Sequence, residues 1–194
     1  MRIVGGQWRG RPIESPRGRE VSRPTTDRVR EAIASMLESA LAEGIEGARV
    51  LDAFAGSGAL GLEMLSRGAG HATFFDADRG ASALVKRNLS KVGCAPERFA
   101  VACADVLLAA RRGRVPGGPF DAVLIDPPYA WGARPAIELA ASLTERRLLA
   151  PGAIILFERT AATPALVLEG FEGLKEKRYG QTCIDVLRYT VRNL

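Results

Sequence analysis

Apolar and polar positions along residues 45–160 predict strands separated by helices. Short apolar runs bounded by glycine or aspartate predict strands at 49–54, 72–75, 99–103, 120–125 and 154–157. Between them, apolar residues recur at helical spacing and predict helices at 60–66, 79–92, 106–112 and 135–146. This alternation is typical of a parallel sheet that is covered by helices on both faces.

The two ends of the chain follow other patterns. Residues 1–13 alternate around three glycines and predict a short hairpin, and a loop rich in proline, arginine and glycine follows to about residue 24. A helix then begins at Thr25 or Thr26 and ends near Gly44, with an apolar stripe at Val29, Ile33, Met36 and Leu37. Residues 173–179 and 182–191 predict an antiparallel hairpin. The predicted fold class is α/β: a single domain, 1–194, with a seven-stranded, mostly parallel sheet and a small N-terminal hairpin and helix extension.

Positive charge is concentrated at the N-terminus. Residues 1–30 contain eight arginines and three acidic residues, so this segment carries the entire net charge of +5. The guanidinium group suits phosphate oxygens and base edges, and this segment is therefore predicted to contact nucleic acid, although a merely solvated arm has the same composition. The candidate RNA-binding residues are Arg2, Arg9, Arg11, Arg23, Arg28 and Arg30.

Few residues are available for metal, redox or histidine chemistry. The three cysteines form no CxxC pair and are predicted to be buried structural thiols, and the single histidine, His71, lies outside any motif. We therefore expect no metal site and no histidine-dependent catalysis. No apolar run approaches the roughly 18 residues of a membrane span, and the first residues lack a signal-peptide pattern, so we expect a cytoplasmic protein.

A glycine-rich loop follows the first predicted strand. Gly56, Gly58 and Gly61 form a GxGxxG pattern between a strand and a helix, where nucleotide-type cofactors bind. Asp52 lies four positions before Gly56, and its carboxylate would repel a pyrophosphate. The same carboxylate attracts the ammonium and sulfonium groups of S-adenosylmethionine. The loop therefore favours S-adenosylmethionine over a dinucleotide, with Ala55 and Ser57 as further contact residues.

Two more acidic positions follow the next strands. Asp76 ends the second strand and can accept hydrogen bonds from ribose hydroxyls, although Asp78 is an alternative for that role. Asp105 follows the third strand and can accept a hydrogen bond from the adenine amino group. A helix cap or a solvated loop explains any one of these residues taken alone. Their shared position at strand ends indicates one cofactor site.

The fourth strand ends in Asp126-Pro127-Pro128-Tyr129. An exocyclic amine on a base is a poor nucleophile because its lone pair is delocalised into the ring. The Asp126 carboxylate and the Pro127 carbonyl can each accept one N–H bond, which orients the amine and stabilises the charge that develops on nitrogen. Pro128 stiffens the loop, and Tyr129 offers a ring on which an extruded base can stack. The motif predicts amino-group methylation on a nucleic-acid base.

At this point the chain resembles the RsmD-type methyltransferases of 16S ribosomal RNA. The resemblance covers nearly the whole length and is carried by residues 2–11, 23–31, 54–63 and 126–129. It implies a Rossmann-like class I S-adenosylmethionine-dependent fold and methylation of a guanine N2. It also implies binding of ribosomal RNA in an assembling small subunit through the N-terminal arginines. We expect a monomer.

The chain departs from this family at two places, and other functions remain open. Ile33-Ala34-Ser35 replaces a frequent Leu-Phe-Asn run, and Asp76 replaces a frequent glutamate. An adenine-N6 methyltransferase would use the same catalytic motif but usually adds a recognition domain. Protein glutamine methyltransferases carry Asn at the position of Asp126, and Asp52 disfavours a nicotinamide-dependent reductase. A non-catalytic RNA-binding factor with this fold is the remaining alternative.

Overall fold

A computed structural model describes residues 1–16 and 26–190 of the 194-residue chain. The strands of its sheet are β1 (Arg49–Asp52), β2 (His71–Asp76), β3 (Phe99–Cys103), β4 (Phe120–Ile125), β5 (Leu149–Thr160), β6 (Phe171–Tyr179) and β7 (Thr182–Tyr189). The helices of this part of the chain are α1 (Asp27–Ala40), α2 (Ala59–Ser66), α3 (Arg79–Lys91), α4 (Val106–Arg111) and α5 (Arg134–Glu145).

The seven strands form one sheet in the order β3-β2-β1-β4-β5-β7-β6. Strands β1 to β5 pair in parallel, and β7 pairs antiparallel with both β5 and β6. The predicted mostly parallel sheet with an antiparallel C-terminal hairpin is confirmed. The chain order reverses between the neighbouring strands β1 and β4, and open α/β sheets bind ligands at the carboxyl ends of the strands at such a switch point.

Helices cover both faces of the sheet, as its apolar central strands require. Leu124 of β4 lies in a core that α1, α2 and α3 complete, whereas Val123 lies in the opposite core with α4 and α5. Successive residues of a strand point to opposite faces, so a strand that is covered on both sides is apolar throughout. This burial fixes β1 and β4 and thereby the loops that leave their carboxyl ends.

The N-terminal segment is only partly the predicted hairpin. Arg2 and Pro12 form an isolated antiparallel bridge, and residues 6–8 form a 3-10 turn. Regular pairing stops because the fully buried Glu63 of α2 accepts hydrogen bonds from the amides of Val4 at 2.8 Å and Gly5 at 2.7 Å. The buried side chains of this segment are Ile3, Trp8 and Ile13. The segment is therefore part of the core.

Two element boundaries and the burial of one cysteine differ from the sequence predictions. Helix α1 ends at Ala40, before Gly44, because Leu41 adopts an extended conformation with ψ of 137°. Strand β5 is longer than the predicted 154–157, because it pairs with β4 on one side and with β7 on the other up to Thr160. Cys103, predicted to be buried, is exposed at the end of the edge strand β3.

Candidate active site

The loop between β1 and α2 has the conformation that its glycines predict. Gly56 and Gly58 adopt positive φ values of 54° and 77°, which other residues rarely adopt. At Gly61 a Cβ atom would overlap the ring of Phe74, so glycine allows α2 to pack closely on β2. Each glycine of the GxGxxG pattern therefore meets a separate steric requirement. The loop that they form lies above the carboxyl end of β1.

Asp52 lies beneath this loop. Its side chain is 2 % exposed and accepts a hydrogen bond from the amide of Gly61 at 3.0 Å. Burial raises the pKa of Asp52 to about 7, and the neighbouring Asp76 contributes in the same direction. Asp52 thus supports the start of α2, and the direct cofactor contact assigned to it stays a prediction.

Asp76 holds the glycine loop from the second strand. Its carboxylate accepts the amide of Gly56 at 2.8 Å and the amide of Asp78 at 2.9 Å. Asp78 in turn caps α3 by accepting the amide of Ala81 at 2.7 Å. Both carboxylates line the same cavity, so the structure keeps both available for the ribose role that the sequence left open.

Asp105 occupies the corresponding position after the third strand. It caps α4 by accepting the amides of Leu107 at 2.8 Å and Leu108 at 3.1 Å, and it also lines the cavity. The capping role and the predicted ligand role are therefore compatible. Its contact with adenine stays a prediction.

The cavity has a volume of about 830 Å³, within the range of roughly 300–1,000 Å³ that small-molecule sites occupy. Of the predicted cofactor residues, Gly56, Asp76 and Asp105 line it, whereas Ala55, Ser57 and Gly58 are buried in the loop behind its wall. Direct contacts from those three residues stay predictions. The loop and the ends of β2, β3 and β4 all contribute to the wall.

Part of this wall comes from the N-terminal segment, which the sequence did not indicate. Residues 14–16 line the cavity, and the fully buried Asn88 of α3 holds them there. Its side-chain amide donates to the carbonyls of Glu14 at 3.1 Å and Ser57 at 2.9 Å, and its oxygen accepts the amide of Glu14 at 2.8 Å. A buried polar residue on the apolar side of a predicted helix was the available signal.

Asp126 stands at the end of β4, on the wall of the same cavity. Burial raises the pKa of its carboxyl group well above the usual range, and the nearby carboxylates Glu158 and Asp52 raise it further. A cation that enters the cavity favours the ionised form of this group. Asp126 is therefore a half-buried acid whose charge state is expected to respond to a cationic ligand.

Tyr129 is held through its hydroxyl group. That group donates to Glu158 at 3.1 Å and lies 3.2 Å from the Thr182 hydroxyl, while 40 % of the residue remains exposed. Burial is the largest cause that raises the pKa of Tyr129 to about 12, so the phenol stays protonated. Pro128 lines the cavity and Pro127 is buried. The ring of Tyr129 is thus fixed beside Asp126.

Glu158 is a functional candidate that the motif search missed. It is 3 % exposed, and it directly follows the apolar run 154–157 of β5. A charged residue that continues a buried apolar strand was the signal, since buried charges are rare without a partner.

The predicted RNA-binding arginines fall into three groups. Arg2, Arg9, Arg11 and Arg28 are exposed, although Arg2 pairs with Asp27 at 3.0 Å. Arg30 is 1 % exposed, donating to Asp27 at 2.7 Å and to the Arg2 carbonyl at 2.8 Å. The predicted RNA contact of Arg30 is therefore wrong, because its guanidinium group joins α1 to the N-terminal segment. Arg23 lies outside the described residues.

Residues 1–16 and 26–190 contain neither a metal-binding cluster nor a membrane-spanning helix. No cluster of three or more His, Cys, Asp or Glu residues there has a metal-binding arrangement. None of the helices in these ranges combines the length and apolar character that crossing a bilayer demands. His71 begins β2, at the opposite end of that strand from Asp76 and the cavity.

Known proteins resemble this chain in sequence and in fold. A family profile described as "Conserved hypothetical protein 95" matches residues 1–188. Ribosomal RNA small subunit methyltransferase D of Escherichia coli K12 is 42 % identical over 132 residues, which are 68 % of this chain and 62 % of that protein. The protein of the same name from Haemophilus influenzae is 36 % identical over 184 residues, 93 % of this chain and 89 % of that one.

Solved structures have the same architecture. The one described as "Putative methyltransferase yhhF from Escherichia coli" has a TM-score of 0.79, 33 % identity and 99 % coverage of both chains. The rRNA methyltransferase aviRa from Streptomyces viridochromogenes has a TM-score of 0.64 at 18 % identity, covering 87 % of this chain and 88 % of that one, and it supports the fold alone. The predicted Rossmann-like methyltransferase fold is confirmed. By the profile match over 1–188 and the Haemophilus relative, the chain belongs to the family described as conserved hypothetical protein 95, the RsmD-type family that its motifs resemble.

Proposed function

We propose that this protein transfers a methyl group from S-adenosylmethionine to the exocyclic N2 amine of a guanine in small-subunit (16S) ribosomal RNA. The observation that carries the proposal is the half-buried Asp126, whose carboxyl pKa is raised, on the wall of the cavity that Asp76 and Asp105 also line. The names of the Escherichia coli and Haemophilus relatives support methylation of small-subunit ribosomal RNA.

The donor set of the cavity fits S-adenosylmethionine better than a dinucleotide. The amide of Gly56, which a pyrophosphate would need, already donates to Asp76 at 2.8 Å, and Asp52 lies just below. These acidic groups repel phosphate and attract a cation. When bound, S-adenosylmethionine supplies a methyl group on a positively charged sulfur. Asp76 or Asp78 would hold the ribose, and Asp105 the adenine amino group.

The residues of the chain orient the nucleophile. Ionised Asp126 accepts one N–H of the guanine amine, and the Pro127 carbonyl accepts the other, so the nitrogen lone pair points at the methyl carbon. Positive charge grows on the amine during attack and faces the Asp126 carboxylate. Tyr129, fixed by Glu158 and Thr182, supplies a ring against which the extruded base stacks.

RNA contact through the N-terminal segment belongs to this proposal. Arg9, Arg11 and Arg28 are exposed, and the N-terminal segment that carries Arg9 and Arg11 packs in the same core as α2 and α3. Phosphate contacts of this kind set affinity and register without reading the sequence. The substrate is accordingly the RNA of an assembling small subunit.

A methylation assay tests the proposal against its alternatives. Small-subunit particles and naked 16S RNA from cells that lack the gene, and duplex DNA, are incubated with labelled S-adenosylmethionine, and products are mapped by mass spectrometry. We expect N2-methylguanine in the ribosomal RNA, and its formation roughly 10²–10³-fold slower with Asp126→Ala. N6-methyladenine would establish the adenine alternative, and binding of RNA without any methyl transfer would establish the non-catalytic one.

A further inference from the structure

Trp131 is a large aromatic residue at the mouth of the catalytic cavity that the proposed mechanism does not use. It is 54 % exposed and lines the cavity together with Phe54, Asp126 and Pro128. A single exposed apolar residue is ordinary on a protein surface. Trp131 differs because it shares a cavity wall with the group that is proposed to receive the target amine.

The backbone fixes Trp131 relative to Asp126. Residues 129–131 form a 3-10 turn directly after Pro128, in which the amide of Trp131 donates to the Pro128 carbonyl at 2.9 Å. Gly132 then turns the chain with a positive φ of 59°, and its amide donates to the Tyr129 carbonyl at 3.2 Å. The indole ring is therefore carried by the same rigid turn as Tyr129.

A neighbouring ring holds the indole while leaving a face open. The rings of Phe54 and Trp131 are 6.2 Å apart between centroids and inclined at 81°, an edge-to-face arrangement. Such a contact uses at most one face of the indole, so at least one remains for another planar group. Among the described residues, the cations found over rings are Arg98 at Trp8 and Lys177 at Tyr179, not at Trp131.

We propose that Trp131 forms a stacking subsite for a nucleobase of the RNA substrate, next to the base that is methylated. The inference rests on the proposed function, which brings single-stranded RNA to this cavity. Every nucleobase presents a π-face, and an exposed aromatic ring at the edge of an RNA site binds it without sequence preference. Arg134, three residues along at the start of α5, is 81 % exposed and pairs with Glu138, which Arg111 also contacts, so this group of three side chains keeps one net positive charge.

The test compares Trp131→Ala and Trp131→Phe with the matched control Ile137→Ala. Ile137 is an exposed apolar residue of α5, 48 % accessible, that does not line the cavity. Loss of one stacked base weakens binding by roughly 5- to 100-fold. We expect Trp131→Ala to raise the KM for RNA by that factor, Trp131→Phe to raise it much less, and Ile137→Ala to leave it unchanged.

Fluorescence supplies an independent readout. Trp8 is 6 % exposed, so quenching of tryptophan emission by added RNA reports mainly on Trp131, and Trp131→Phe leaves the Trp8 signal as a blank. We expect RNA without cofactor to quench the wild-type protein and not the Phe variant. S-adenosylhomocysteine alone is expected to bind wild type and Trp131→Ala equally.

Two results overturn the inference. An unchanged KM for RNA in Trp131→Ala shows that no base stacks there, and a weakened affinity for S-adenosylhomocysteine shows that the indole contacts cofactor instead. Failure of the proposed function is distinguishable, because the wild-type protein would then methylate no guanine, whatever the fluorescence quenching shows. If Trp131→Ala still methylates guanine at saturating RNA, the proposed function stands, whatever the outcome for the stacking subsite.

Discussion

Replacing Asp52 by Asn should stabilise the folded protein at neutral and higher pH. The Asp52 carboxyl group is buried, near Asp76, and accepts the amide of Gly61 at 3.0 Å. Asn has the same shape and keeps an oxygen that accepts this amide, but it carries no charge. Asp52→Asn therefore removes the cost of ionising a buried acid while the hydrogen bond beneath the glycine loop remains.

The size of the effect follows from the pKa of Asp52, about 7 in the folded protein against an ordinary value of 3.8. A displacement of about three pH units at 1.4 kcal/mol each gives on the order of 4 kcal/mol. The folded state binds the extra proton between these two pKa values, so the wild-type protein loses this stability as pH rises from about 4 to about 7. The variant does not, and its advantage is largest above pH 7.

Urea unfolding at pH 4.5, 6 and 8 measures the effect as a difference between variant and wild type, in which all other titrating groups cancel. We expect a gain of about 1 kcal/mol at pH 4.5, which rises to about 4 kcal/mol at pH 8. Asp52→Asn is also expected to lower the affinity for S-adenosylmethionine more than for the uncharged S-adenosylhomocysteine. Parallel pH profiles of variant and wild type would refute the reasoning.

Four other substitutions give three further predictions. Asp126→Ala should lower kcat by roughly 10²–10³ with S-adenosylhomocysteine affinity retained in calorimetry, and wild-type turnover would contradict its role. Replacing Arg9 or Arg28 by Gln should each reduce the slope of log affinity against log salt by about 0.7–0.9 in filter binding, and an unchanged slope would show that the residue contacts no phosphate. Glu63→Ala should lower the unfolding free energy by about 3–5 kcal/mol in urea titration, because the amides of Val4 and Gly5 and the Arg67 side chain lose their acceptor. A loss below about 1 kcal/mol would be inconsistent with that role.

The fold was predictable from the sequence because its signals are local. The apolar run of β4 and the stripe of α1 are properties of adjacent residues, and burial only confirms what their spacing predicts. Glycines at 56, 58 and 61 also predicted their loop, since each position has a steric requirement that glycine meets.

What the sequence did not reveal depends on contacts between distant residues. Glu158 reaches Tyr129 across 29 positions, and Asn88 reaches Glu14 across 74. Arg30 belongs to the basic segment by composition, yet it is buried because its helix packs on the N-terminal segment. The net charge of a segment counts every arginine equally. Which guanidinium groups are buried becomes visible only in the folded structure.

The anchoring of the first residues on Glu63 has a consequence for how the protein would engage its partner. Arg9 and Arg11 stand on backbone that is already ordered, so little conformational freedom is lost when they meet phosphates. A flexible basic tail would bind in many orientations, whereas this ordered segment holds its charges at a fixed distance from Asp126. Under the proposed function, it would favour RNA strands in which the spacing between phosphates and target base matches that distance.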